Sequence, residues 1–297
     1  MKLILSRKGF DSAAGGIPSP IFSGPSNRMI SFPIPGRSRT RYCDIDVDVG
    51  GGESCSMGHL VHVLSKGKAH SGWPMHLDPD LDRKALTRHE HWRPLFGQAG
   101  AAQTHLEKQG VDVGDLFLFF GWFREVESHH ETWRYVPGAP DKHVLFGWLQ
   151  IGEIVPVDER IKERLPWALE HPHVARPLRA GKGKEAIYVA SKWLTLPDGA
   201  KTRHPGAGTF SYNDNLVLTE RQKSRSNWLL PEWFLPAFQK PTLSYHTNPN
   251  KWNVSSNRVG VRLKTVGRGQ EFVIDIDYAA GEASLWIDNL IQHRNCN

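Results

Sequence analysis

Cysteine is scarce. The 297 residues contain three, Cys43, Cys55 and Cys296, an odd number with no CxxC spacing. That excludes a disulfide framework and a zinc ribbon as sources of stability, and it predicts reduced thiols in a cytoplasmic setting. Long apolar runs are missing as well. No stretch reaches the ~18 apolar residues of a membrane span, so no membrane partner is expected. The start, Met1 to Lys8, offers four apolar residues before its charges. This is too little for a signal-peptide core, so the chain reads as mature protein. There is no internal repeat, no heptad pattern and no long Ser/Gly linker, which argues against solenoids, coiled coils and strings of modules.

What is present supports a packed core. Hydrophobic residues make up 39% and aromatics 10% of the chain, which excludes global disorder. The length suggests about two domains or one large β-rich one. With no linker in view, the expectation is a single composite α+β unit over 1–297, with room for two closely packed lobes. The 28 glycines and 20 prolines punctuate the sequence every few residues and favour short strands, short helices and long ordered loops. A net charge of +6 permits a nucleotide or nucleic-acid partner without requiring one.

Apolar runs place the elements. Lys2–Ser6 reads as a first strand, followed by a Gly/Pro/Ser-rich loop over 15–41. Asp44–Val49 alternates Asp with Ile/Val, a half-buried strand or a carboxylate row. Cys55–Leu64, Arg83–Phe96 and Ala99–Gln109 suggest helices. Leu116–Arg124 and His143–Val155 are aromatic, Gly-interrupted runs, read as an antiparallel pair buried on both faces. Gly121 and Gly147 are candidate bulges or close-approach points. Later strands are expected at Ala186–Ala190, Leu216–Thr219, Val259–Thr265 and Glu271–Tyr278, and a helix near Leu229–Phe238. The fold class expected is α+β, a mixed or antiparallel sheet or partial barrel.

Three constellations carry candidate chemistry. In Ser6–Pro20, a strand end delivers Arg7 and Lys8, then Asp11 and Ser12, into a turn with Gly15 and Gly16. Such a turn can aim backbone N–H groups at a phosphate while the cations supply charge. The spacing matches neither a P-loop nor a dinucleotide fingerprint. The plainer reading is a turn in which Asp11 caps its own backbone. In Trp73–Asp80, His76 and Asp78 flank one residue, so on an extended segment they point the same way and can bind a metal or act as base and orienter. Alternatively Asp78-Pro79 caps a following helix. With Asp44, Asp46 and Asp48 nearby in sequence, a carboxylate-rich metal site is conceivable, but no HExxH or paired Cys/His spacing appears, so no metal site is assigned. His129-His130 and His171-x-His173 read as surface decoration. In Ser211–Trp252, Asn213, Asn215 and Asn227 interleave with Arg221, Lys223, Arg225 and aromatics, a pattern suited to phosphate contact and base stacking, though Trp228 and Trp233 also fit a core.

Taken together, SRKGFDSAAGGIPSP at Ser6–Pro20, Phe32–Pro35, MHLDP at Met75–Pro79, GDLFLFFGWFR at Gly114–Arg124, HVLFGWLQIGEI at His143–Ile154 and SNWLL at Ser226–Leu230 resemble the third of the nucleotide-modification-associated domain families. The resemblance spans about residues 2–280. It implies a place in phage or bacterial systems that make hypermodified DNA bases, with other components of such a system as partners, and it names no cofactor. The positions it carries over are Arg7, Lys8, Asp11, Ser12, His76, Asp78, Trp122 and Trp148. The strand pair also looks like that of small PUA/ASCH-like barrels, which hold modified bases. The expected function is therefore an enzyme acting on a nucleotide or a DNA base. In that reading Asp11, Ser12, His76 and Asp78 are catalytic, Arg7, Lys8, Gly15 and Gly16 bind phosphate, and Trp122, Trp148 and Asn227 bind the base. The alternative is a non-catalytic reader of modified nucleic acid with an aromatic-lined pocket.

Overall fold

The computed structural model describes residues 1–22, 27–130, 132–176, 183–235, 242–254, 260–267 and 270–292. Its frame follows from the apolar runs. Strand β1 is Lys2–Arg7, β2 is Leu95–Ala99, β3 is Leu116–His129, β4 is Lys142–Pro156, β5 is Glu185–Ala190 and β6 is Glu271–Asp275. They hydrogen-bond in the order β6-β1-β3-β4-β5-β2. β1 and β3 run parallel; the other neighbours along this path are antiparallel. β3 and β4, fourteen and fifteen residues long, are buried along most of their length, as their lack of polar alternation requires.

The sheet curls until its two end strands meet. Gln98 on β2 donates from Nε2 to Glu271 Oε1 on β6 at 2.5 Å. Helix α1, Gly100–Lys108, packs against both end strands and covers the gap between them. The result is a half-barrel plugged by aromatic side chains. Phe96 and Tyr188 stack with centroids 5.8 Å apart, and Phe117 and Phe119 stack at the same separation. Such ring pairs contribute about 0.5–1.5 kcal/mol each beyond the area they bury.

The glycines in the long strands mark close approaches. A Cβ at Gly121 would lie 2.9 Å from Lys8 O, and one at Gly147 would lie 2.9 Å from Gly208 O. The β3/β4 register shifts beside Gly147, between Phe119 and Phe120.

Several sequence expectations need correction. Arg83–Phe96 is not a helix. It holds one 3-10 turn at Arg83–Ala85 and then enters β2. Its middle, Thr87 to His91, has no apolar face to bury, and Pro94 cannot continue a helix. Leu216–Thr219 is not a continuous strand but a 3-10 turn at Asp214–Leu216 followed by isolated bridges. Asn227–Leu230 is a strand, and Glu232–Phe234 a 3-10 turn rather than part of a helix; residues 236–238 of that expectation, like Val259 and Cys296, lie outside the described residues. A C-terminal helix, Ala280–Gln292, was not anticipated. It buries Ala283, Ile287, Leu290 and Ile291 against the main core. Among the described residues no helix is long and apolar enough to cross a membrane.

Candidate active site at Asp78

Residues 74–80 form an extended strap laid between a loop and the end strand of the barrel. Met75 N–H donates to Thr40 O at 2.9 Å and His76 N–H to Ile34 O at 2.8 Å. Further on, Asp80 and Leu95 exchange backbone hydrogen bonds. Extended backbone puts alternate side chains on one side, so His76 and Asp78 face together, with Nε2 and Oδ2 3.7 Å apart. No helix starts at Asp78; the next 3-10 turn is capped by Asp82.

The side chain of Asp78 is almost fully buried and meets three imidazoles. Its Oδ1 accepts from the Gly97 N–H at 2.8 Å and from His171 Nε2 at 3.2 Å. Its Oδ2 lies 3.5 Å from His173 Nε2, which in turn lies 3.2 Å from His76 Nε2. Burial alone would raise the carboxyl. The hydrogen bond from His171 and the close His173 and His76 rings overcome it and hold Asp78 well below the usual carboxylate range.

The histidines arrive from a single helical turn. Pro172–Ala175 carries Pro172 at its first position, and His171 is its N-cap, its side chain accepting from the His173 N–H. That cap uses the Nδ1 lone pair, so the ring proton sits on Nε2 and is donated to Asp78. Burial lowers the His171 pKa, in keeping with a neutral ring. His173 Nδ1 donates to Glu185 Oε1 on β5 at 2.5 Å, while Glu185 Oε2 takes Arg176 at 2.7 Å. Burial opposes charge on His173, but Asp78 and Glu185 outweigh it and lift the ring to about 8. Gly97 lets these groups close up, because a Cβ there would lie 2.3 Å from the His173 ring. His171 and His173, expected on the surface, are therefore buried parts of the cluster.

A cavity of about 330 Å³ opens beside the strap. Met29, Ile30, Ile45, Met57, Leu81 and Phe146 give it apolar walls, while Asp46, Asp48, Asp80, Asp82 and Asp78 itself give it carboxylates. Such a mix of apolar wall and a few convergent polar groups is typical of small-molecule sites.

The N-terminal loop is built differently. Asp11 Oδ1 accepts from the N–H groups of Ala13 and Ala14, both at 2.7 Å, and Gly16 N–H donates to Asp11 O. The turn thus satisfies much of its own backbone. Gly15 is required by contact, since a Cβ would lie 2.2 Å from the Phe10 ring. Lys8 points into the half-barrel, paired with Glu271 at 2.9 Å and lying over the Phe96 ring. Arg7 points the other way, donating to the carbonyls of Val266 and Gly267 at 2.9 Å. It feels the charges of Asp11 and Arg225. The Arg225 guanidinium lies 4.1 Å from the Trp122 centroid and reaches Ser12 Oγ at 3.5 Å. Among the described residues, no hydrogen bond or ion pair joins this group to His76 or Asp78.

The aromatic candidates separate. Trp122 is half-buried beneath Arg225. Trp148 is 1% exposed and packed against Phe210 and Gly208, which leaves no free face for a base. Trp228 and Trp252 are core, and His246 is buried between Ser244 and Thr265. Asn227 donates to Ser224 Oγ at 2.7 Å and borders an open groove with Lys223, Lys251, Asn253 and Lys264.

Comparison with protein families matches residues 2–275 to nucleotide modification associated domain 3. Curated proteins and solved structures give no match. The matched stretch is nearly the whole chain, and the protein belongs to that family.

Proposed function

From that membership we propose that the chain is an enzyme acting on a nucleotide or on a base in nucleic acid, with its reacting centre at the Asp78 cluster. One observation carries this reading: a buried carboxylate gathers three imidazoles from two distant segments, and the same residue walls a cavity of about 330 Å³. His76 is the most exposed of the three rings and stands outside the cavity's lining, so in this reading a substrate in the cavity meets Asp78 and reaches His76 only across the open side of the strap, where the ring would exchange a proton with it. Asp78 orients the rings, the His173 N–H fixes the His171 tautomer and Glu185 holds the Nδ1–H of His173. The carboxylates of the cavity, of which Asp48 is paired with Arg28 and Asp80 with Arg88, can accept hydrogen bonds from the exocyclic amino groups of bases. Other components of a base-modification system are the partners this reading implies.

The test is nucleoside mass spectrometry after incubating the purified chain with free nucleotides and with plain and hypermodified DNA. The wild type changes the mass of one nucleoside. Asp78→Asn, folded by circular dichroism, loses about 100-fold or more of that turnover. Full turnover in Asp78→Asn contradicts the reading.

A second reading has its own observation. The groove of Lys223, Asn227, Lys251, Asn253 and Lys264, with Arg225 stacked on Trp122, suits a reader of modified nucleic acid. Salt-sensitive binding to modified over plain DNA, with no chemical change and with Asp78→Asn unaffected, would select it.

A further inference from the structure

We propose that His76 Nε2, Asp78 Oδ2 and His173 Nε2 together bind one first-row transition-metal dication. The three atoms are 3.2, 3.5 and 3.7 Å apart. The circle through such a triangle has a radius of about 2 Å, which is the length of a bond from zinc to imidazole nitrogen or carboxylate oxygen. An ion near the centre of the triangle touches all three donors without moving any of them.

The surroundings are those that orient metal ligands. His173 donates its Nδ1–H to Glu185, so an ion that displaces the Nε2 proton meets a lone pair at the triangle. Asp78 receives Gly97 N–H and His171 Nε2 on Oδ1, which leaves Oδ2 as the single ligand oxygen. His171 cannot compete as a ligand through Nε2, because its cap fixes the proton there. The side chain of His76 is 21% exposed while those of Asp78 and His173 are 5% and 7%, so the His76 side is the entry path.

Two imidazoles and one carboxylate suit ions of the zinc or ferrous class and not Mg2+, which prefers all-oxygen shells and keeps its water. Three protein ligands leave a coordination position open. An ion so held polarises a carbonyl or phosphoryl oxygen, or acidifies bound water.

The assignment shares its residues with the reacting centre proposed above and gives that centre a metal, yet its test needs no turnover. Should the metal fail, an acid–base centre stands; should turnover fail, the ion is structural. The full chain is stripped with chelator and titrated with Zn2+, Co2+, Fe2+ under anaerobic conditions, and Mg2+, by calorimetry. One equivalent of a transition ion per chain binds, and Mg2+ does not. His76→Ala weakens binding about 100-fold or more, and Glu185→Gln weakens it about 10–100-fold. Replacing the exposed pair, His129→Ala with His130→Ala, leaves it unchanged. X-ray absorption of the zinc-loaded wild type, which needs no variant, shows two imidazoles and an oxygen at about 2.0–2.1 Å and no sulfur. Absence of stoichiometric binding, sulfur in the shell, or affinity that follows His129 and His130 overturns the assignment.

Discussion

Asp11 and Asp78 both follow a stretch of unusual sequence, and the fold treats them in opposite ways. Asp11 sits in the rarer text, a Gly-rich loop behind two cations. There its carboxylate is taken up by the next residues' own N–H groups. Asp78 sits in a plainer strap, and it is met by His171 and His173, 93 and 95 positions further on. Local rarity marks a turn that must be built in one way. Convergence of distant polar groups on a buried charge is what the proposed reading rests on, because burying that charge costs several kcal/mol unless partners are arranged around it.

The contrast can be broken at several points. The largest effect is expected from Asp78→Asn, with turnover down about 100-fold or more as measured by nucleoside mass spectrometry. Next is the ion pair inside the half-barrel. Glu271→Gln leaves the Lys8 ammonium buried without its counter-charge and lowers stability by about 3–5 kcal/mol in denaturant unfolding. Adding Lys8→Met to that variant restores most of the loss. If Lys8 instead served a phosphate ligand, Lys8→Met alone would leave stability unchanged and abolish nucleotide binding.

A third expectation concerns pH, and it separates the Arg7 side from the Asp78 side. Burial, aided by Arg7 and Arg225, pushes His143 down to about 3, and burial pushes His246 down to about 4. Both rings are neutral when folded and take up protons on unfolding below about pH 6.5. Their contribution is complete above that pH. It falls by about 1.4 kcal/mol per unit for each ring as pH drops towards the folded values. Replacing His143 with Gln should flatten the stability profile between about pH 6.5 and 4, read by chemical unfolding. The Trp228 Nε1 donor, 3.0 Å from His143 Nδ1, keeps an acceptor in that variant.

The smallest effect is expected at the loop. Asp11→Ala removes two backbone hydrogen bonds and costs about 0.5–2 kcal/mol, with a correspondingly lower melting temperature and turnover changed only a few-fold.

Much of the frame was legible in the sequence. Leu116–Arg124 and His143–Val155 read as buried strands because their aromatic runs admit no solvent face, and Ala99–Gln109, which holds α1, read as a helix. The His76/Asp78 pair was legible because i,i+2 spacing on an extended strap needs only local backbone. The rest of the site was not. His171 and His173 stand in a polar, proline-containing segment that looks exposed, and only the curl of the sheet brings them to Asp78. Glu185 opens a strand whose apolar pattern says nothing of its carboxylate. Trp148 looked like Trp122 in sequence, each following a glycine in a β run, yet one is sealed in the core and the other lies under Arg225. Which face of a strand meets the interior is set by register with neighbours, and that register is non-local.

The most direct test of the account is a side-by-side turnover measurement of Asp78→Asn and Asp11→Ala on the same nucleotide or DNA substrate. The account predicts that Asp11→Ala keeps turnover within about fivefold while Asp78→Asn loses about 100-fold or more. Turnover abolished by Asp11→Ala and retained by Asp78→Asn, with both variants folded, would place the chemistry at the N-terminal loop and contradict it.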